Sequence, residues 1–309
     1  MYTVPVPVNG KKTSLLADAL AIVRYHIVLI AMAATIVFGW LMTGERSIAL
    51  ALITGLDWFL INLLNRVTDL DEDLANGIQG TERVAASRRA VATGSFALLV
   101  ASFATHAFHP EITPLRLAVQ AIGMAYNYRL VPTPRGMRRL KELYFFKNFG
   151  SACLFVLTCF GYPLAAHGWA PSMRWTAVGA LVLFFVLYEI TFEILYDLRD
   201  LEGDRKEGIP TYPVVHGTRT ALRIVDALLA LSALVLATGL ASGILGVREG
   251  LMLAAPALQR VFYPPRVARG LTSMDCITLT HLGTGELLLY VAGTAAWDAA
   301  GLPENVFLA

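Results

Sequence analysis

The sequence is poor in charge. Asp, Glu, Lys and Arg make up 16% of its 309 residues, against about 25% in an average soluble domain. Hydrophobic residues make up 56%, and mean hydropathy is +0.58. So little charge cannot cover a water-facing surface, and the chain reads as lipid-embedded. It also lacks a dominant charge sign: 25 basic and 23 acidic side chains leave +2, so no basic field marks a nucleic-acid partner. Cysteine is scarce. Cys153, Cys159 and Cys276 form no C-x-x-C pair, which excludes a disulfide framework or a cysteine zinc motif and leaves small apolar packing residues. The histidines are scattered, with no H-E-x-x-H spacing, so no His-based metal site is expected. Residues 1–14 lack the short apolar run and small-residue cleavage site of a secretory signal. They are expected to be a cytoplasmic leader to a single transmembrane domain, 15–309.

What the sequence has is long apolar runs. About 20 helical residues span the hydrocarbon core. Nine stretches approach that length: 15–43, 47–66, 90–108, 113–131, 144–167, 175–196, 218–243, 249–265 and 278–299. The fourth carries Arg116 and Gln120. The eighth carries Gln259 and Arg260 and is expected to stop at Pro264-Pro265. The expected fold is therefore an all-α, polytopic membrane bundle of about nine transmembrane helices. Charge supports this division. With the N-terminus inside, the leader, the even-numbered loops and the adjoining helix ends hold all of the 25 Lys and Arg except Arg46, Arg116, Arg174 and Arg248, as cytoplasmic loops should.

The same side collects acids. Asp69, Asp71, Glu72 and Asp73 follow the second stretch; Glu193, Asp197, Asp200, Glu202, Asp204 and Glu207 end the sixth. The matching placement suggests two pseudo-equivalent halves, each with one Asp-rich motif. Asn65, Asp69 and Asp73 are spaced i, i+4, i+8, so a helix at about 100° per residue puts them on one face. Asp197, Asp200 and Asp204 share a stripe with Glu193 by the same reckoning. Asp71, Glu72, Glu202 and Glu207 fall off these stripes and read as a solvated face. Like charges so spaced repel and call for a cation. Clustered oxygens without His or Cys favour a hard ion, Mg²⁺, which fills its remaining sites with water and phosphate oxygens. Two facing acidic helix ends suit a diphosphate held through metal. Lys147, inside the apolar start of the fifth stretch, either snorkels to the interface or pairs with an anion. Arg135, Arg138 and Arg139 read as contacts to lipid headgroups, and Tyr126 and Tyr128 as interfacial anchors. Glu286, an isolated acid in the ninth stretch, either faces a cavity or caps a neighbour.

These motifs resemble the UbiA superfamily of intramembrane prenyltransferases over about residues 15 to 299. Asn65, Asp69 and Asp73 match its N-D-x-x-D-x-x-x-D motif, with Arg66 in place of the usual first Asp. Asp197, Asp200 and Asp204 match its second, Asp-rich motif, within Asp200-Leu-Glu-Gly-Asp-Arg-Lys-Glu-Gly-Ile-Pro-Thr-Tyr-Pro. The resemblance implies a helical bundle with a central cavity. It implies a Mg-dependent enzyme in the inner membrane, its site facing the cytoplasm, that transfers an isoprenyl group from a prenyl diphosphate to a small-molecule acceptor, expected to be aromatic. Asp69, Asp73, Asp197, Asp200 and Asp204 would hold metal. Asn65, Arg66, Tyr128, Lys141 and Lys147 would bind substrate, and Lys147 and Asp200 would serve catalysis. Arg66 either contacts diphosphate or points away, since it lies about 100° from Asn65 on a helix. Two other readings are a terpene cyclase, using the same site without an external acceptor, and a non-enzymatic cation transporter. Against the transporter, the acids sit at helix ends rather than at the midplane.

Overall fold

Long apolar runs become long helices. The computed structural model describes residues 15–302; the expected leader lies outside the described residues. Helix α1 (Leu15–Ile22) turns through Arg24, at φ 48°, into α2 (Tyr25–Thr43). After Gly44, at φ 78°, Ser47 caps α3 (Ile48–Thr68) by accepting from the Leu50 N–H at 3.2 Å. Two short helices follow, α4 (Leu70–Ala75) and α5 (Thr81–Ala86), then α6 (Arg88–Ser102), which runs on to Ala107, and α7 (Thr113–Asn127). Helix α8 (Phe146–Phe155), a π-helical stretch (Val156–Gly161) and α9 (Tyr162–Ala166) form one rod. The remaining helices are α10 (Trp175–Arg199), α11 (Leu201–Glu207), α12 (Tyr212–His216), α13 (Thr218–Ala241), α14 (Ala254–Ala268) and α15 (Ser273–Ala299).

The architecture is all-α but for one hairpin, β1 (Val131–Thr133) against β2 (Gly136–Arg138), antiparallel with Val131 opposite Arg138. Pro132 and Pro134 cannot continue α7, and Gly136 at φ 101° makes the turn. Among the described residues, six helices are long and apolar enough to cross a membrane: Tyr25–Thr43, Ile48–Thr68, Arg88–Ala107, Phe146–Ala166, Trp175–Arg199 and Thr218–Ala241. Of the other three expected spans, α7 and α14 have 15 residues each, and α15 has 27 but carries Asp275, Glu286 and Asp298. The eighth stretch does not stop at its prolines. Pro264 and Pro265 lie inside α14, where a single turn remains beyond them and few backbone hydrogen bonds are lost.

The core is aromatic where α2, α8 and α10 meet. Phe38 stacks on Phe160 at 4.5 Å and meets Phe185 edge-on at 5.3 Å; Trp58 lies 4.1 Å from Phe155. Arg116 and Gln120, which weakened the fourth stretch as a span, both serve Asp57 on α3. The Arg116 guanidinium donates to both Asp57 carboxylate oxygens, at 2.9 and 2.6 Å, Gln120 donates at 2.8 Å, and the Tyr162 hydroxyl donates at 2.8 Å. Asp57 and Arg116 are 0% and 1% exposed, so a charge left alone there has no water to turn to. Asp57→Ala should therefore cost about 3–5 kcal/mol, as breaking one side of a buried pair does. Asp57→Leu combined with Arg116→Met should recover most of it. Thermal unfolding in detergent checks this, and an Asp57→Ala variant as stable as the parent would contradict the pairing.

Candidate functional site

Each acidic motif straddles a bend. Helix α3 ends at Thr68 and α4 begins at Leu70 because Asp69, at φ −103° and ψ 27°, leaves the helical region. The hydrogen-bond ladder nonetheless crosses the bend, from the Asp69 N–H to the Asn65 carbonyl at 2.9 Å and from the Asp73 N–H to the Asp69 carbonyl at 2.8 Å. Asp200, at φ −91° and ψ 9°, does the same between α10 and α11, with bonds of 3.0 Å to Tyr196 and 2.9 Å from Asp204. The bends bring α4 and α11 together. A Cβ on Gly203 would stand 2.9 Å from the Asn76 side-chain Cγ, so this glycine is a close-packing residue rather than a loosened turn.

Every motif carboxylate has a basic partner. The Lys141 ammonium, 2% exposed, donates to Asp69 at 2.7 Å and to Glu72 at 2.8 Å. Lys147 donates to Asp197 at 2.9 Å and Asp204 at 3.0 Å, which decides between snorkelling and pairing. Arg139 donates to Asp69 at 3.2 Å and to Glu142 at 2.8 Å, so it belongs to the site rather than to headgroups. Asn148 donates to Asp197 at 2.8 Å, and Asn65 bridges Asp69 and Asn127. Arg199 clasps Asp200 with both guanidinium arms. Burial alone would raise the Asp200 carboxyl, but Arg199 beside it holds it below the usual carboxylate range. Burial pushes Asp204 up to about 7, against the pull of Lys147 and with Asp197 adding to the rise.

Arg66 points along the motif, away from the space between α4 and α11. Its guanidinium donates to Asp73 at 2.7 Å, to the Ala21 carbonyl at 2.9 Å and to the Ile22 carbonyl at 3.3 Å. Arg24 stands 4.0 Å from the other Asp73 oxygen. Arg66 thus fixes α1 against the first motif and engages Asp73 from inside the protein.

Two pairs of carboxylates, Asp69 with Glu72 and Asp197 with Asp204, therefore each close on one ammonium. These ammonium positions show where the site accommodates positive charge. Among the described residues no three His, Cys, Asp or Glu side chains are grouped to hold a metal unaided. Two carboxylates are what Mg²⁺ usually takes from a protein, its other sites going to substrate oxygens and water, so the residues present fit that ion.

A cavity adjoins the acidic ends through Asn65, which bonds Asp69, and through Glu193, one turn before Asp197. Its polar part is lined by Asn62, Asn65, Tyr126, Ser151, Glu193 and Tyr196; its apolar part by Phe38, Phe184, Phe185, Leu251, Met252 and Leu289. Ile30, Phe155, Glu189 and Phe192 line both, so the two parts adjoin. Leu251 and Leu289, which line the apolar part, are also exposed at the protein surface. Glu286 faces the apolar part and accepts from the Tyr188 hydroxyl at 2.7 Å.

Of the residues expected from sequence, Asn65, Asp69, Lys141, Lys147, Asp197, Asp200 and Asp204 gather at this mouth. Asp73 and Arg66 sit at its α1 edge. Tyr128 stands apart, its ring 6.2 Å from Phe96, and Tyr126 lines the cavity instead. Glu72, set aside as a solvated face, shares Lys141 with Asp69; Asp71 is exposed as expected. Glu189 gave a usable signal, since it continues the four-residue spacing of Glu193 and Asp197.

Comparison with known proteins gives three findings. The sequence model of the UbiA prenyltransferase family matches residues 86–264. A digeranylgeranylglyceryl phosphate synthase from Haloquadratum walsbyi is 38% identical over 92 residues, which span 29% of this chain and 32% of that protein's length. Two solved structures share the fold. A UbiA homolog from Archaeoglobus fulgidus bound to GPP and Mg²⁺ superposes with a TM-score of 0.67 at 20% identity, covering 90% of this chain and 98% of that one. A UbiA homolog from Aeropyrum pernix K1 superposes with a TM-score of 0.61 at 18% identity, covering 89% and 98%.

The Arg66 contacts give a direct expectation. Arg66→Met leaves Asp73 buried against α1 with its nearest cation gone, and should lower stability in detergent by about 3 kcal/mol. Limited trypsin digestion should then cut at Arg24, between α1 and α2. Adding Asp73→Asn should restore most of the loss. A single variant that unfolds with the parent and resists trypsin equally would contradict the latch.

Proposed function

The chain belongs to the UbiA prenyltransferase family, is an integral membrane protein, and from that premise we propose that it transfers the isoprenyl group of a prenyl diphosphate to a small-molecule acceptor with the help of Mg²⁺. The observation that carries this reading is the pair of carboxylate pairs, Asp69–Glu72 and Asp197–Asp204, each closed on a lysine at the mouth of an aromatic cavity. The anionic diphosphate would lie between α4 and α11, and the hydrocarbon chain in the apolar part. The metal residues are Asp69, Asp197, Asp200 and Asp204, with Glu72 added. Asp73, held by Arg66, supports the first motif from its edge.

Mg²⁺, when bound, neutralises the charge that develops on the departing diphosphate. The chain's own groups do the rest. Lys141, Lys147 and Arg139, released from their carboxylates, can donate to diphosphate oxygens, where preformed donors in a low-dielectric site act most strongly. Asn65 and Asn148 hold Asp69 and Asp197 in place. Phe155, Phe184, Phe185 and Phe192 keep water from an allylic cation, and their negative ring faces favour it.

The full architecture we propose has nine crossings, with α7, α14 and α15 completing the six apolar ones, in the plasma membrane. Lys and Arg are concentrated on the side of the motifs, which supports a cytoplasmic site. The similar synthase is named for a glyceryl phosphate product, so relatives do not favour the aromatic acceptor suggested by sequence resemblance. A terpene cyclase would use the same mouth. Transfer is favoured by polar groups in the cavity wall that a hydrocarbon cyclisation does not need.

Asp69→Ala and Asp200→Ala should each lower Mg²⁺-dependent diphosphate release from a prenyl diphosphate by about 100-fold or more, in variants that remain folded in detergent by far-UV circular dichroism. Near-parental release in both would contradict the metal assignment. A hydrocarbon or alcohol formed from the prenyl diphosphate alone would favour cyclisation, and cation flux in liposomes without turnover would favour a transporter.

A further inference from the structure

The cavity wall carries polar groups that neither metal nor diphosphate employs. Along α10, Glu193 and Glu189 lie about 6 and 12 Å inward of Asp197 at 1.5 Å per residue. Glu193 accepts from Ser151 at 2.7 Å. Glu189 is 8% exposed, lines both parts of the cavity and makes no hydrogen bond or ion pair among the described residues. On α3, Asn62 is 4% exposed, lines the polar part, and its Nδ2 has no acceptor. A carboxylate and an amide that far from water are costly without partners. A bound molecule that offers both donors and an acceptor removes that cost.

The titratable side chains of the inner cavity are mostly acidic. Further in, Glu286 has its Oε1 without a partner. Among the described lining residues the one Lys or Arg is Arg24, at the mouth and 4.0 Å from Asp73. With the diphosphate at the level of Asp197 and Asp204, the reacting carbon comes down beside Glu193 and Asn62. Whatever attacks that carbon stands against Glu189 and Glu193.

We propose that the space between Asn62, Glu193 and Glu189 is the acceptor site, and that it takes an uncharged acceptor whose nucleophile is a hydroxyl or amine, with Glu189 receiving its proton. This rests on the prenyl-transfer reading. The bond between prenyl C1 and the diphosphate oxygen breaks, and its electron pair leaves with the diphosphate. A lone pair of the acceptor heteroatom forms the new bond to C1, and the proton on that heteroatom passes to Glu189. An acceptor bearing carboxylate or phosphate opposes the ionised Glu189 that the proton transfer requires, finds no cation in the inner wall to pair with, and is rejected. By this account the chain differs in acceptor from a synthase that makes a glyceryl phosphate.

The test uses the full chain in detergent with Mg²⁺. Farnesyl thiolodiphosphate, which does not react, is titrated first by calorimetry; failure to bind sinks the prenyl diphosphate reading itself. With it bound, 4-hydroxybenzamide and 4-hydroxybenzoate are compared. The amide is expected to bind at least about tenfold more tightly. Glu189→Gln should remove most of that preference while leaving thiolodiphosphate affinity unchanged, and Glu193→Gln should reduce it. With farnesyl diphosphate and the amide, Glu189→Gln should lower transfer by about 100-fold. Equal or tighter binding of the benzoate, binding of neither, or a preference and rate untouched by Glu189→Gln would overturn the proposal while the diphosphate reading stands.

Discussion

Carboxylates cannot crowd together near a membrane interior without positive charge between them, and this constraint organises the molecule. At ordinary surface dielectric, two like charges about 4 Å apart repel by about 4 kcal/mol, and burial makes the repulsion worse. The chain answers with a base for each motif acid: Lys141 and Arg139 for Asp69, Lys147 for Asp197 and Asp204, Arg199 for Asp200, Arg66 for Asp73. These bases come from α3, α8, α10 and the segment between α7 and α8. Charge neutrality therefore also ties those elements to one end of the bundle.

The partners are not equivalent. Lys141 and Lys147 sit on flexible stems between two carboxylates, so an incoming cation can displace each ammonium toward an incoming anion. Arg66 is different: two α1 carbonyls and Asp73 use its planar fork in fixed directions. The position where this chain departs from the family motif thus replaces a carboxylate with a built-in cation. One acid is permanently neutralised, and the remaining pairs are left for exchange. The bends at Asp69 and Asp200 matter for the same reason, since α4 and α11, which follow them and carry Glu72 and Asp204, meet where Gly203 packs against Asn76.

Much of this was readable in the residues. The four-residue spacing of Asn65, Asp69 and Asp73 and of Glu193 and Asp197 survives the bends because the backbone ladder continues through them. Lys147 stood out as a cation in an apolar run, although its partners, 50 and 57 residues away, could not be read from spacing. Glu72 was misplaced: seven residues after Asn65, it lies within about 20° of it on a helical wheel, and that spacing already put it with Asp69, whose Lys141 it shares. Tyr126 and Tyr128 differ only in which side of the end of α7 they occupy, and that is set by the proline-bounded hairpin. Arg116 and Gln120 looked like flaws in a span; their reason, Asp57, lies 59 and 63 residues earlier. Local pattern gives the helices and the motifs, whereas long-range pairing supplies most of the counter-charges.

The central claim is that the two lysine-closed carboxylate pairs are the seats of metal and diphosphate. The most direct measurement is a structure of the chain with Mn²⁺ and farnesyl thiolodiphosphate, the metal located by its anomalous signal. The account predicts manganese against Asp69 and Glu72 and against Asp197 and Asp204, with Lys141 and Lys147 moved onto the diphosphate and Arg66 still on Asp73. Manganese bound at Asp73 in place of Arg66, or a diphosphate seated away from both pairs, would contradict it.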